Sequence, residues 1–159
     1  MGESFETYAK GGGKILRAVV QDAAVTKVHF VQEEGVSQHG PVLDEVQAQL
    51  QAYLNGESQS FTLPLAPEGT PFQKKVWDVL LTIPFGETRT YAQLAAALGD
   101  PKVIRAAASA NGKNPVAVII PCHRVIGTDG SLTGYSGGLE NKRFLLALEK
   151  ANGILSLFP

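Results

Sequence analysis

Apolar positions change their period partway along the chain. The β-branched runs KILRAVV (14–20) and VTKVHFV (25–31), joined by QDAA, predict a hairpin after a polar, glycine-rich lead. Leu43, Val46, Leu50, Tyr53 and Leu54 then recur at helical spacing between Pro41 and Asn55, and Asn55-Gly56 supplies a stop. FTLPLA (61–66) is expected as a third strand, at an edge because Pro64 cannot donate to a ladder. APEGTP reads as a linker. Residues 1–67 are therefore expected to form a small α/β module, a short antiparallel sheet plus a helix.

From residue 70 to 159 the pattern turns helical. Thr70-Pro71 caps a stripe of Phe72, Val76, Val79, Leu80 and Ile83 that ends at Pro84. FGET is a turn. Thr90 and Gln93 have capping-box spacing for the helix TYAQLAAAL, and Gly99 stands where a helix-ending glycine belongs. Asp100-Pro101 opens a second helix, KVIRAAASAN, stopped by Gly112. Two short helices around a glycine turn form the helix-turn-helix pattern. VAVII (116–120) is a short buried run, GTDGSLTG is turn-rich, and residues 139–151 are a last helix closed by Asn152-Gly153. The fold class expected is α+β, with a winged-helix-like, mostly helical second domain.

Composition narrows the chemistry. With 159 residues, 44% hydrophobic and 18% charged, the chain has the balance of a globular protein that buries a core without staples. Its one cysteine excludes an intramolecular disulfide framework and a multi-cysteine zinc site. His29 and His39 lack the spacing of ligands. No secretory apolar segment and no run of bilayer length is present, so a soluble, reducing, cytoplasmic setting is expected. The net charge of −1 conceals asymmetry: residues 1–70 carry −5 and residues 71–125 carry +4. A basic middle suggests a local polyanion-binding face, although a solvated surface gives the same balance.

Cys122 sits between Pro121 and the pair His123-Arg124. Titratable neighbours are where a thiol can become a thiolate, while a buried inert cysteine is the plainer alternative. His123 is adjacent in sequence, so pairing it with Cys122 requires a tight turn or a bridging water. In the second helix of the pair, Arg105 stands among Ala106, Ala107, Ala108, Ser109 and Ala110. Such a bare surface with one long cation suits close approach to a nucleic-acid groove, or else close packing on a neighbouring helix.

Asn114-Pro115, PCHRV (121–125), GYSGG (134–138) and the LLALE ending at Glu149 together resemble the O6-alkylguanine-DNA alkyltransferases over residues 71–151. The resemblance implies a single-use repair protein that flips a lesion guanine from duplex DNA and moves the alkyl group from O6 to Cys122. It implies His123 as base through a water, Glu149 as its orienter, Asn114 as holder of the cysteine turn, and Tyr91 near the target nucleotide, protonating the leaving base. Arg105 would fill the vacated stack, with Tyr91, Ala106, Ser109, Lys113 and Arg124 also toward DNA. Asn111, Val125, Tyr135, Ser136 and Gly137 would line the guanine pocket. No cofactor, metal or membrane is implied. The partner would be duplex DNA carrying O6-alkylguanine, bound in the nucleoid-accessible cytoplasm by a monomer, with cooperativity open. Ala108 departs from the glycine of many relatives; residues 1–67 hold no cysteine for the zinc site of some relatives, and a phosphotriester-repair domain is not expected. Three alternatives are a non-catalytic lesion binder, which would lack the cysteine, a helix-turn-helix transcription factor, which would want a dimer interface, and a cysteine hydrolase, which would turn over.

Overall fold

The computed structural model describes residues 2–132 and 134–153, in two compact units, 1–67 and 68–159. The architecture is α+β. In the first unit, strands β1 (Ser4–Gly11), β2 (Lys14–Gln21) and β3 (Ala24–Val31) form an antiparallel sheet in that order. Both connections are two-residue turns with both central residues left-handed, Gly12-Gly13 and Asp22-Ala23. That conformation matches the twist of the flanking strands. Helix α1 (Pro41–Leu54) buries Leu43, Val46, Leu50, Tyr53 and Leu54, the set its period predicted.

Two expectations for this unit are corrected. The polar lead is strand β1, whose Thr7, Tyr8 and Ala9 are all buried. FTLPLA is not a strand; it meets β3 at a single parallel bridge, Val25 to Leu65. There the Val25 N–H donates to the Pro64 carbonyl and the Ala66 N–H to the Val25 carbonyl, each at 2.8 Å, and the proline ends the ladder. His29 is an exposed strand residue and His39 pairs with Asp44 at 3.0 Å. Among the described residues no cluster of three metal-ligating side chains occurs.

In the second unit, α2 (Pro71–Leu80) opens with the Thr70–Gln73 capping box and buries Val76, Trp77 and Leu80. The two-residue strand β4 (Arg89–Thr90) leads into α3 (Tyr91–Ala97), whose capping box is Thr90–Gln93 and whose exit is Gly99 at φ +91°. Asp100 caps a 3₁₀ turn by accepting from the Lys102 N–H at 2.9 Å, and α4 (Ile104–Gly112) follows. This is the expected helix-turn-helix. The Trp77 indole donates to the Ala110 carbonyl at 2.9 Å, tying α4 to α2 in the core. Val116, Val118, Ile119 and Ile120 are buried as the apolar run predicted, Ala117 is half-buried, and residues 117–119 form turns. A 3₁₀ turn (Cys122–Arg124) leads into β5 (Val125–Ile126), which pairs in parallel with β4. Helix α5 (Leu139–Gly153) is the last element; the residues after its expected stop, 154–159, lie outside those described. No helix among the described residues is long and apolar enough to cross a membrane.

Candidate active site

Cys122 emerges from two successive tight turns. Val118 has φ +72° and the Ile119 N–H donates to the Ala117 carbonyl at 2.8 Å, a γ-turn of the rarer, strained hand centred on a β-branched residue. Pro121 (φ −82°, ψ 63°) centres an inverse γ-turn, in which the Cys122 N–H donates to the Ile120 carbonyl at 2.8 Å. Asn114 clamps this loop. Its Oδ1 accepts from the Val116 N–H at 2.9 Å, and its Nδ2 donates to the Ile120 carbonyl at 2.8 Å and the Val116 carbonyl at 3.3 Å. The residues that flank the first turn, Val116 and Ile120, are thereby tied to one carboxamide, Ile120 also opens the second turn, and Val118 is fully buried. Over-determination of this kind is what a strained residue needs in order to persist.

The 3₁₀ turn carries Cys122 and His123 in succession without a hydrogen bond between them. His123 is fully buried and its Nε2 lies 2.6 Å from the Glu149 carboxylate, while its buried Nδ1 has no hydrogen-bond partner in the protein. Arg124 was expected toward DNA; it points inward. Its Nε and one terminal nitrogen donate to Glu149 at 2.8 and 3.0 Å, and the other terminal nitrogen donates to the Ile83 carbonyl at 2.7 Å. Three of its five N–H donors are so engaged and only 7% of the residue is exposed, so the guanidinium faces the core and not a phosphate. The physical reason is Glu149, which is 1% exposed and needs a cation when buried.

Charge is balanced inside the cluster. Burial alone would raise the Glu149 carboxyl, but His123 and Arg124 outweigh it and hold the group well below the usual carboxylate range. Burial pushes His123 below the ordinary imidazole range, partly opposed by Glu149. A neutral His123 beside the Arg124–Glu149 ion pair donates through Nε2 to the carboxylate, so Nδ1 is the basic nitrogen. Burial raises the Cys122 thiol, against an Asn114 hydrogen bond and the Lys142 charge, which favour thiolate.

Lys142 is absent from the sequence-based expectations. It is fully buried and its Nζ donates to the Val125 carbonyl at 2.7 Å. The signal was available: Lys142, Leu145, Leu146 and Glu149 fall at i, i+3, i+4 and i+7, so a cation and a carboxylate share the inner stripe of α5. The Lys142 Nζ also lies 5.9 Å from the centre of the Tyr91 ring. Tyr91 begins α3, half-buried, and a Cβ on Gly134 would lie 3.6 Å from its hydroxyl, so the GYSGG loop passes beside it. Within that loop the Tyr135 hydroxyl is buried without a hydrogen-bond partner, Ser136 and Gly137 are exposed, and the Gly137 carbonyl accepts from Asn141 at 2.8 Å.

Helix α4 has two faces. Arg105, Ala106, Ser109 and Lys113, just past its end, are exposed within about a third of its circumference, whereas Ala107, Ala110 and Asn111 are buried. Ala108 is half-buried at the boundary, so its methyl is only partly on the outer face. Asn111 reaches the backbone of Cys122, its Nδ2 donating to the Cys122 carbonyl at 3.4 Å. Asn111, Asn114, Cys122, His123, Val125 and Glu149 thus converge, while Arg105, Ala106, Ser109 and Lys113 form a separate outer surface.

Residues 71–151 match the family described as 6-O-methylguanine DNA methyltransferase, DNA binding domain. The chain belongs to this family. Among similar 6-O-methylguanine methyltransferases, a methylated-DNA–protein-cysteine methyltransferase of Methanosarcina barkeri is 58% identical over 108 residues, 68% of each chain. The constitutive methylated-DNA–protein-cysteine methyltransferase of Bacillus subtilis is 44% identical over 149 residues, 87% of this chain and 90% of the relative. The crystal structure of the Mycobacterium tuberculosis O6-methylguanine methyltransferase superposes with a TM-score of 0.84 at 37% identity, covering 98% of both chains. A second structure, Mycobacterium tuberculosis OGT in complex with DNA, gives 0.83 at 38% identity over 94% and 95%.

Proposed function

We propose that this protein repairs O6-alkylated guanine in duplex DNA by taking the alkyl group irreversibly onto Cys122, once per molecule. The observation that carries the reading is the buried run Cys122-His123-Arg124 closed by Glu149. A carboxylate fixes the tautomer of His123, and the basic Nδ1 is left without a protein partner beside the only thiol. A water can connect Nδ1 to the thiol, which resolves the adjacency of the two residues in sequence. The thiol proton passes to His123, the sulfur attacks the alkyl carbon, the S–C bond forms as the C–O6 bond breaks, and guanine departs with the electron pair. Tyr91 protonates that leaving base. Lys142 and Asn114 stabilise the thiolate against the cost of burial. The thioether is not hydrolysed, so no turnover follows.

Residues 70–159 make up the DNA-binding and transfer domain in this reading, with residues 1–67 a separate α/β module. Arg105 occupies the stack in place of the flipped nucleotide, and Ala106, Ser109 and Lys113 lie along the groove. The pocket is formed by Asn111, Val125, Tyr135, Ser136 and Gly137, with Tyr91 at its rim. The protein acts as a monomer in the cytoplasm. Cys122 disfavours the non-catalytic lesion-binding alternative.

Intact-protein and peptide mass spectrometry after incubation with a duplex containing one O6-methylguanine tests the reading. One methyl is expected, stoichiometrically, on the Cys122 peptide. Cys122→Ser is expected to bind the same duplex and gain nothing. Lesion binding by the unsubstituted protein with Cys122 unmodified would instead identify a sensor.

A further inference from the structure

The inner face of α4 carries one polar side chain, Asn111, which is 1% exposed beside Ala107 and Ala110. Its carboxamide is only half used. Nδ2 donates to the Cys122 carbonyl at 3.4 Å, but Oδ1 is buried without any hydrogen-bond partner. An orphaned buried acceptor is unfavourable in a resting protein, because it has given up its hydration for nothing. Such an atom in a native site marks a place where a donor arrives. Because both atoms belong to one planar group, Oδ1 is held beside the reacting residue and cannot turn away without releasing the Cys122 carbonyl.

The chemistry of the base then identifies the donor. Alkylation at O6 removes the proton from ring N1, N3 and N7 are lone-pair acceptors, and N9 bears the sugar. A deoxynucleotide within a strand has no free hydroxyl. The exocyclic 2-amino group is therefore the only N–H or O–H donor on the lesion nucleotide. We propose that Asn111 is a specificity residue whose Oδ1 accepts a hydrogen bond from the 2-amino group of the extruded base while its Nδ2 holds the Cys122 backbone. This rests on the alkyl-transfer reading above and deepens it. A site that presents a buried acceptor to a substrate N–H discriminates against an analogue lacking that group, because the acceptor stays unpaired when the analogue binds.

The decisive comparison uses two duplexes that differ by one group: O6-methylguanine, and O6-methylhypoxanthine, which lacks the 2-amino group. Rates of Cys122 methylation are followed by mass spectrometry for the unsubstituted protein, for the near-isosteric Asn111→Leu and for the smaller Asn111→Ala. The unsubstituted protein is expected to prefer O6-methylguanine, and the preference is expected to shrink by on the order of tenfold in the variants. The ratio of the two rates cancels any general loss of nucleophile or fold. A variant ratio equal to that of the unsubstituted protein would mean that Asn111 serves only the Cys122 carbonyl and would overturn the inference. So would equal rates on the two duplexes for the unsubstituted protein, a result that needs no variant to fold. Failure to methylate Cys122 from either duplex is a different outcome: it removes the alkyl-transfer reading, and this inference with it.

Discussion

Glu149 accepts from Arg124 through both oxygens and pairs with His123 through one, all inside the core. Glu149→Gln keeps the shape but leaves the Arg124 charge buried without a counter-ion, a loss expected at about 3 kcal/mol. Both Glu149 and His123 titrate in the fold below their ordinary ranges. Each therefore contributes stability that is complete above its unfolded value and is lost as the pH falls toward its folded one. Thermal unfolding followed between about pH 3 and about pH 7 should show an acid limb that is markedly flatter in Glu149→Gln. The approach of Glu149 to His123 was implied by the resemblance of their motifs to the family, since spacing alone left Cys122 open between a reactive and an inert thiol. The inward turn of Arg124 and the burial of Lys142 were not implied. A lysine or arginine is by default a surface residue, and only the three-dimensional placement of a buried carboxylate or carbonyl overrides that default.

Helix α3 depends on its first turn, since Tyr91 is its first residue and Thr90 its cap. The Thr90 hydroxyl accepts from the Gln93 N–H at 3.1 Å and the Gln93 carboxamide accepts from the Thr90 N–H at 2.9 Å. Thr90→Ala is expected to cost about 1 kcal/mol of stability. It should also slow transfer more than it weakens duplex binding, because the loosened turn carries Tyr91; paired measurements of melting and methylation rate would show this. Elements announced by such chemistry were readable: α1 to α4 each have a proline, a capping residue or a stopping glycine in sequence. Strand β1 was hidden because SFETYAKG alternates weakly and contains only scattered apolar residues, its burial coming from partners on β2 and α1. The turns at Val118 were also hidden, since valine in an apolar run reads as strand, and it is the Asn114 clamp that bends it.

At the scale of the whole molecule, an overall charge of −1 coexists with a +4 stretch that includes the helix-turn-helix. Duplex affinity should fall as salt rises, through the exposed cations, while chemistry at the buried cluster should be nearly indifferent to salt. Arg105→Ala should lower repair of duplex DNA far more than reaction with free O6-methylguanine base, measured by Cys122 methylation in each case. Equal losses on both substrates would remove Arg105 from base extrusion. The burial of Cys122 has a consequence for the useful life of each copy. A nucleophile that can react only once is wasted by any stray electrophile or oxidant that reaches it first. Cys122 is 4% exposed and burial keeps its sulfur protonated, so it is a poor target for small reactive molecules in solution. Each copy therefore stays competent while it waits, and the number of lesions a cell can reverse is set by how many copies it holds.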